Sequence, residues 1–315
     1  VNNLIKIMTT ARGNVLQEIK AIEAGAWVHL TDPTKEELAR VSSEIGVETE
    51  FLHAALDEEE TVRLDSEEDQ TLVLVDIPVV QPEGTSFLYT TIPLGIIMTK
   101  ENIITVCLEE TSIIEDFWNN RVRGFDASKK ARFVLQLLYK NASKYLQYLR
   151  QIDKLSTQVE QALHKSMKNR ELIQMLRIEK SLVFFATSLK SNEIVLEKML
   201  KTNTIKRYPD DVDLLEDVII ENKQAIEMCT IYRDILSGTM DAFASVISNN
   251  LNIVMKFLAA ITIVMAIPTM IASFWGMNVG GLPFATSSAG FWLVMGIAGV
   301  CSGAVVFFLW RKKMF

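Results

Sequence analysis

The sequence predicts an α+β membrane protein: a cytoplasmic α/β domain, then a long stalk helix that continues into the first of two C-terminal transmembrane helices. Three observations carry this. From Phe257 through Trp310 the chain has no Asp, Glu, Lys, Arg or His. Two apolar spans occupy this region, roughly Ile253 to Phe274 and Phe291 to Trp310, each near the ~20 residues a spanning helix needs. Between Pro209 and Pro268 there is no Pro or clear stop, and Gly238 is the sole Gly before Gly276.

Residues 1–127 read as the α/β domain. Leu4-Ile5-Lys6-Ile7 and Ala26-Trp27-Val28-His29-Leu30 have strand character. Thr34 can cap a helix, with Glu37 three residues on as a capping box requires and Gly46 as the stop. A second helix, about Thr49 to Leu56, ends in the acidic run Asp57 to Glu60. Strands follow over Thr71–Ile77, Phe87–Met98 and Ile103–Leu108, the last two joined by the polar turn Lys100-Glu101-Asn102. Strands in succession favour a mixed or antiparallel sheet with helices on its faces.

Residues 128–208 read as an antiparallel helical arm. Phe133, Leu137, Leu138, Tyr145, Leu149 and Ile152 recur at helical spacing, and Asn169 can open a second helix running to about Lys201. Pro209 suits the first turn of the next helix, and Asp210, Asp211 and Asp213 suit its positive end. Residues 209–252 form the predicted stalk, and 253–315 the transmembrane pair with a short outer loop and a basic tail. One helix from Pro209 to Trp275 would be about 100 Å long, a length typical of a coiled coil or an oligomer axis.

The chain has 315 residues and a net charge of −7. That acidic balance argues against a nucleic-acid partner. Val1–Thr10 has no basic start followed by an apolar run, so no signal peptide is expected and the body should stay where it is made. Lys256 precedes the first span and Arg311-Lys312-Lys313 follow the second, while the loop between is uncharged. Both termini are therefore expected in the cytoplasm, with the protein in the cytoplasmic membrane and in contact with lipid. Cys107, Cys229 and Cys301 lie far apart and read as structural thiols. His29, His53 and His164 lack metal-ligand spacing, and His53 beside Asp57 reads as a solvated helix face. No nucleophile–base set or phosphate-binding loop stands out, so an enzyme is not expected and no catalytic cofactor is implied.

Steps of three and four residues from Asn252 trace Asp234, Gly238, Asp241, Ser245, Ser248, Asn252, Met255, Ala259, Thr262, Ala266, Thr269, Ser273 and Gly276. This 3.5-residue repeat stays on one face of a supercoiled helix. Every member but Met255 is small or polar, while Phe243, Ile247, Phe257, Ile261 and Phe274 crowd the flanks. Two readings stand. Small residues let membrane helices pack closely. Alternatively, the seam lines a water-filled path at the axis of a parallel oligomer. The second explains why the seam runs on to Asp241 and Asp234, which are costly in a dry contact but attract cations as rings. Met255 and neighbouring Leu258 interrupt the polar run, and apolar rings there can close a path by excluding water. Pro268 frees the Val264 carbonyl, as an ordinary kink or as part of gating.

Gly276-Met277-Asn278, placed after Met255-Lys256, Ala266-Ile267-Pro268-Thr269 and Trp275, resembles the CorA family of divalent-cation transporters. Trp27-Val28-His29-Leu30 followed by Pro33-Thr34-Lys35-Glu36-Glu37-Leu38 is similar to that family's early strand–helix segment. The resemblance implies a funnel-shaped homopentamer with the first span lining the pore. It implies Mg²⁺ as cargo, with Co²⁺ and Ni²⁺ as further ions. By position, Asn278 would form the outer selectivity ring with Gly276 and Met277. Asn252, Met255, Leu258, Thr262 and Thr269 would line the pore, with Met255 and Leu258 as its constriction. Asp241 would form a ring deeper in the cytoplasmic pore. Asp217 would belong to a regulatory Mg²⁺ site between protomers, its partner drawn from Asp57–Glu60 or Asp65–Asp69. One departure is the acid-free loop after the tripeptide: Val279-Gly280-Gly281-Leu282-Pro283 is closer to the ZntB branch, associated with Zn²⁺. A Zn²⁺ carrier, coupled to protons, is the alternative, and a non-transporting membrane-tethered oligomer is a third.

Overall fold

Apolar residues alternate along the strands so that one sheet has two apolar faces, and helices cover both. A computed structural model describes residues 5–11, 15–84, 86–166, 169–202, 208–277, 279 and 287–312. The chain forms two units, Val1–Thr239 and Met240–Phe315. In chain order the elements are β1 (Ile5–Ala11), β2 (Val15–Glu18), β3 (Trp27–Thr31), α1 (Lys35–Ile45), α2 (Thr49–Ala54), β4 (Arg63–Glu67), β5 (Gln70–Glu83), β6 (Ser86–Met98), β7 (Ile103–Cys107), α3 (Ser112–Trp118), α4 (Lys130–Ser166), α5 (Asn169–Lys201), α6 (Pro209–Trp275) and α7 (Ser288–Arg311).

The first unit holds a seven-stranded mixed sheet ordered β2-β1-β3-β7-β6-β5-β4. Only the β3–β7 pair is parallel. Its spine is the β5–β6 hairpin, paired without a break from Thr71↔Met98 to Glu83↔Ser86. Leu72 and Leu74 point to one face, where Leu38 and Val41 of α1 and Phe51 and Leu52 of α2 cover them. Val73, Val75 and Ile77 point to the other, under α3, α4, α5 and the first turns of α6. Trp27 sits at the centre of that second core, edge-on to Phe133 at 4.9 Å between ring centres. Its Nε1 donates to Thr105 Oγ1 at 2.8 Å.

The expected capping box forms at α1: Glu37 N donates to Thr34 Oγ1, and Thr34 N to Glu37 Oε2 at 2.8 Å. Gly46 ends the helix with φ of 76°, the left-handed value that glycine reaches without strain. Elements β2, β4 and α3 were not anticipated, and β5 runs six residues past Ile77. Helix α7 starts at Ser288, so the connection between the two apolar helices is shorter than expected.

One polar clamp joins the sheet to α4 and α5. β4 stops opposite Leu74, so the β5 edge is open from there on. Asn192 of α5 closes it as a neighbouring strand would: its Oδ1 accepts from Asp76 N at 2.9 Å, and its Nδ2 donates to Asp76 O at 2.8 Å. Asn141 Nδ2 and Tyr145 OH, both on α4, donate to the same carbonyl. Burial raises the Asp76 carboxyl pKa, partly offset by a hydrogen bond from Ser188.

In the second unit, α6 and α7 expose long apolar side chains, among them Phe257, Met265, Phe274, Trp292 and Phe307. Both helices are long and apolar enough to cross a membrane.

Gly95 of β6 is where α2 meets the sheet. A Cβ there would lie 2.6 Å from Ala55 Cβ, inside any real contact. Gly95→Ala should cost about 1–3 kcal/mol, the usual overpacking range. Adding Ala55→Gly should restore most of the loss in thermal unfolding of the purified chain. Absence of that coupling would place the α2 contact elsewhere.

Candidate functional site

A helix through hydrocarbon satisfies its own backbone, so its faces are set by side chains alone. On α6 the least exposed residues of the second unit's apolar stretch are Ala260, Val264, Ile267, Ile271 and Trp275 on one face, and Ala266 on the seam side. At 100° per residue the five centre roughly 140° round the helix from the seam. Helix α7 carries a matching stripe in Val294, Ala298, Ser302, Val305 and Leu309. Apart from half-buried Ala266, the seam of this stretch lies outside the α6 stripe. Asn252, Met255, Leu258, Ala259, Thr262, Thr269 and Ser273 are exposed, and Ala266 is half-buried.

Three seam hydroxyls bond back to their own helix. Ser245 Oγ donates to Asp241 O at 3.1 Å, Thr262 Oγ1 to Leu258 O at 2.9 Å, and Thr269 Oγ1 to Met265 O at 3.0 Å. Each hydroxyl has one hydrogen, so what remains for the seam is oxygen lone pairs. Pro268 sits inside the helix without breaking it. Lacking an N–H, it leaves the Val264 carbonyl without its helical donor. The helix closes at Gly276, whose N–H donates to Ala272 O at 2.9 Å. A Cβ on Gly276 would lie 3.2 Å from that same oxygen, so the last turn is tight enough to favour glycine. Met277 follows, exposed, and Asn278 lies outside the described residues.

The register extends further than spacing from Asn252 to Asp234 alone. Continuing back from Asp234 by threes and fours gives Ile231, Glu227, Gln224, Ile220 and Asp217, all on α6. Asp217, Asp234 and Asp241 are exposed. Asp234 also meets the adjacent Arg233 at 3.3 Å. The acidic tracts expected to partner Asp217 are partly engaged: Arg63 holds Glu60 and Asp65, each at 2.6 Å. Among the described residues no three His, Cys, Asp or Glu side chains come together as a metal site, and Asp217 belongs to no such group.

The family model for "CorA-like Mg2+ transporter protein" matches residues 23–313. The chain belongs to the CorA family. A CorA relative, the cobalt/magnesium transport protein CorA of Methanocaldococcus jannaschii, is 30% identical over 280 residues, 86% of this chain and 85% of its own length. The Thermotoga maritima protein of the same description is 25% identical over 223 residues, 70% of this chain and 63% of its own. The complete structure of the Methanocaldococcus jannaschii CorA magnesium transporter superposes with a TM-score of 0.87 at 24% identity, covering both chains fully. The ZntB cytoplasmic domain of Vibrio parahaemolyticus covers 78% of this chain and 98% of its own at a TM-score of 0.62 and 10% identity, which is a likeness of fold. The CorA fold expected from the sequence, an α/β body followed by a long helix and a second apolar helix, is thus the one observed.

Two features of the site were absent from the sequence reading. Which face of α6 is buried in the second unit depends on more than one element, and small Ala260 was its faint trace. The back-bonded hydroxyls had a better signal, since Ser and Thr inside an apolar helix routinely bond the carbonyl four residues back.

Among the described residues the histidines join no group of three potential metal ligands. His29 is buried in the sheet, with Nδ1 2.7 Å from Thr105 Oγ1 and Nε2 2.9 Å from Thr31 Oγ1. Burial, helped by the charge of Lys6, pushes its pKa from 6.5 down to about 3, against an opposing hydrogen bond with Thr105. His29 is therefore neutral in the folded protein. Its contribution to stability is complete above the ordinary pKa of 6.5. It is lost as pH falls towards 3, because the unfolded chain takes the proton first. The unfolding free energy of the purified chain should fall between about pH 6 and 4 with a slope that His29→Gln reduces by up to about 1.4 kcal/mol per unit. Equal slopes for the two proteins would mean that His29 charges freely when folded.

Proposed function

We propose that this chain is the protomer of a homopentameric channel that carries Mg²⁺, with Co²⁺ and Ni²⁺ as further cargo, down its electrochemical gradient across the cytoplasmic membrane. One observation carries it most: the polar seam of α6 lies almost wholly outside the half-buried stripe from Ala260 to Trp275. Small polar residues outside that stripe are free to face water at an axis shared by several copies. That the CorA relatives are cobalt/magnesium transport proteins supports the choice of ion.

In this mechanism the ion moves with much of its water. Mg²⁺ sheds water reluctantly. A ring of neutral Asn278 amides accepts hydrogen bonds from the ion's waters without stripping them, whereas a carboxylate ring would hold the ion harder. Met255 and Leu258 form the apolar constriction, which opens when it is wetted. Ser245, Ser248, Asn252, Ala259, Ala266, Thr269 and Ser273 line the rest, and Asp241 and Asp234 concentrate cations at the cytoplasmic end. The membrane potential contributes about 2.3 kcal/mol per charge per 100 mV, about twice that for a divalent ion. Mg²⁺ bound at Asp217 between protomers holds the assembly closed, and its loss opens the pore.

The loop Val279-Gly280-Gly281 supports Zn²⁺ as the competing cargo. Parallel flux assays in liposomes with Mg²⁺, Co²⁺ and Zn²⁺, with and without a pH gradient, separate the two. Mg²⁺ flux indifferent to pH is expected, and Zn²⁺ flux that needs a proton gradient would replace the proposal. Asn278→Ala should reduce selective Mg²⁺ flux at least about tenfold, the cost of losing a well-placed hydrogen bond to the ion's waters. Unchanged flux would move selectivity elsewhere. Asp217→Asn should raise the internal Mg²⁺ concentration needed for closure. An unshifted dose response would remove Asp217 from regulation.

A further inference from the structure

We infer that the last turn of α7 binds the headgroup of an anionic phospholipid, with Arg311 and Lys312 on its phosphate and Phe307 and Phe308 against its acyl chains. This rests on the membrane-spanning reading of α7 and not on the pore reading of the seam. The second unit has four cationic side chains, Lys256, Arg311, Lys312 and Lys313, and one acidic side chain, Asp241, in a chain whose net charge is −7. Asp241 stands about four turns before Lys256 on α6. Among the described residues neither Arg311 nor Lys312 has a carboxylate partner. The carbonyl end of α7 offsets about half an elementary charge. Most of two positive charges is therefore left for a counter-ion from outside this unit.

The geometry suits a lipid. Phe307 and Phe308 precede Arg311 and Lys312 by four residues each, so two ring-and-cation columns run side by side over one turn. The four side chains line a cleft of about 430 Å³, and all four are exposed. At 100° per residue Phe307 stands about 180°, and Arg311 about 140°, from the centre of the less exposed stripe of α7. The Lys312 Nζ lies 6.0 Å from the Phe308 ring centre, and the Phe307 and Trp310 rings are 6.4 Å apart. Along the helix axis the order is therefore phenyl rings, then indole, then cations. A phospholipid is graded in the same order, from acyl chain through glycerol to phosphate. The tract without ionised side chains ends at Trp310, which puts the indole at the membrane–water interface and Arg311 at the level of the phosphates. The guanidinium fork of Arg311 matches two phosphate oxygens, and Lys312 adds a point charge. A choline headgroup brings its own cation to the same place, so the lipid favoured is one with net negative charge. Near an anionic leaflet each such residue is worth about fivefold in binding.

The test uses the full chain in vesicles and reads quenching of Trp310 fluorescence by brominated phospholipids, with Trp310→Phe to identify the signal. In the parent, brominated phosphatidylglycerol should bind at Trp310 at least about tenfold more tightly than brominated phosphatidylcholine. Arg311→Gln combined with Lys312→Gln should bring that ratio to about one. Salt at about 1 M, which shortens the screening length to about 3 Å, should lower the ratio in the parent without any substitution. Inorganic phosphate at millimolar concentration should leave it unchanged. Equal quenching by the two lipids in the parent overturns the inference and assigns the cations to a carboxylate of this chain or of another copy. A ratio that survives both the double substitution and high salt overturns it too, and displacement of the lipid by inorganic phosphate replaces the lipid as the ligand. Quenching that Trp292→Phe removes reports insertion at the other end of α7, and its absence would remove the spanning reading itself. No Mg²⁺ flux enters the measurement, so failure of the pore proposal stays distinct from failure of this one.

Discussion

Hydrocarbon offers a backbone no water to bond, so a chain that crosses it must close its own hydrogen bonds, and α6 does so without a break for 67 residues. Everything functional in the chain depends on the phase of that one helix. The Ala260–Trp275 stripe, the aliphatic flanks and the seam are three faces of a single rod. Inserting one residue near Ser248 would turn everything beyond it by about 100°. In the proposed pore, Thr262 and Thr269 would then face hydrocarbon, and an aliphatic flank would take the seam. Pro268 is tolerated inside this rod because the helix persists on both sides and loses only the donor to Val264.

Within the first unit, side chains bind α6 to α5 and α4. Leu215 and Val218 enter the core under the sheet. Asn222 Nδ2 donates to Leu189 O at 3.1 Å, and Cys229 Sγ to Leu182 O at 3.1 Å. Buried Asp211 faces Arg132 of α4 at 3.7 Å. These contacts occur at positions 211, 215, 218, 222 and 229, a stripe at helical spacing opposite Asp217 and Ile220. The polar clamp on Asp76 then ties α5 to the sheet, so the helix is keyed to the most extensively paired hairpin of the fold. A buried carbonyl that accepts from three side chains is a fixed point, because each donor it lost would leave an unsatisfied polar group in an apolar layer.

Much of this was legible in the sequence wherever the signal was local and periodic. The two apolar spans, the long helix from Pro209, the Thr34 capping box and the seam all follow from spacing along one element. Signals that require two elements were not legible. Strand β4 is Arg63-Leu64-Asp65-Ser66-Glu67, which has one apolar residue and reads as acidic loop. It is a strand because Thr71 to Leu74 stand opposite it. Strand β2 is four residues long and exists through β1. Gly95 lies inside a strand, and the approach of Ala55 accounts for a glycine there. At the site, spacing placed Asp241 to Ser273 on one line but could not say which face would be buried.

The acid-free outer loop looked like a deficit for a cation pathway, and the direction of α6 offsets it. Helix α6 runs with its C-terminus at Gly276, so its last carbonyls point towards the segment that begins with Met277. A helix end of this polarity is equivalent to about half a negative elementary charge. In the pentamer proposed above, five such ends converge beside the Asn278 amides. The dipole differs from a carboxylate in one useful respect: it attracts a cation from outside but offers it no full charge to bind. An acidic loop would strengthen capture and slow release together. In that proposed path the outer field would come from backbone carbonyls and neutral amides, and the first full negative charges inward along the seam would be Asp241 and Asp234, beyond the proposed constriction.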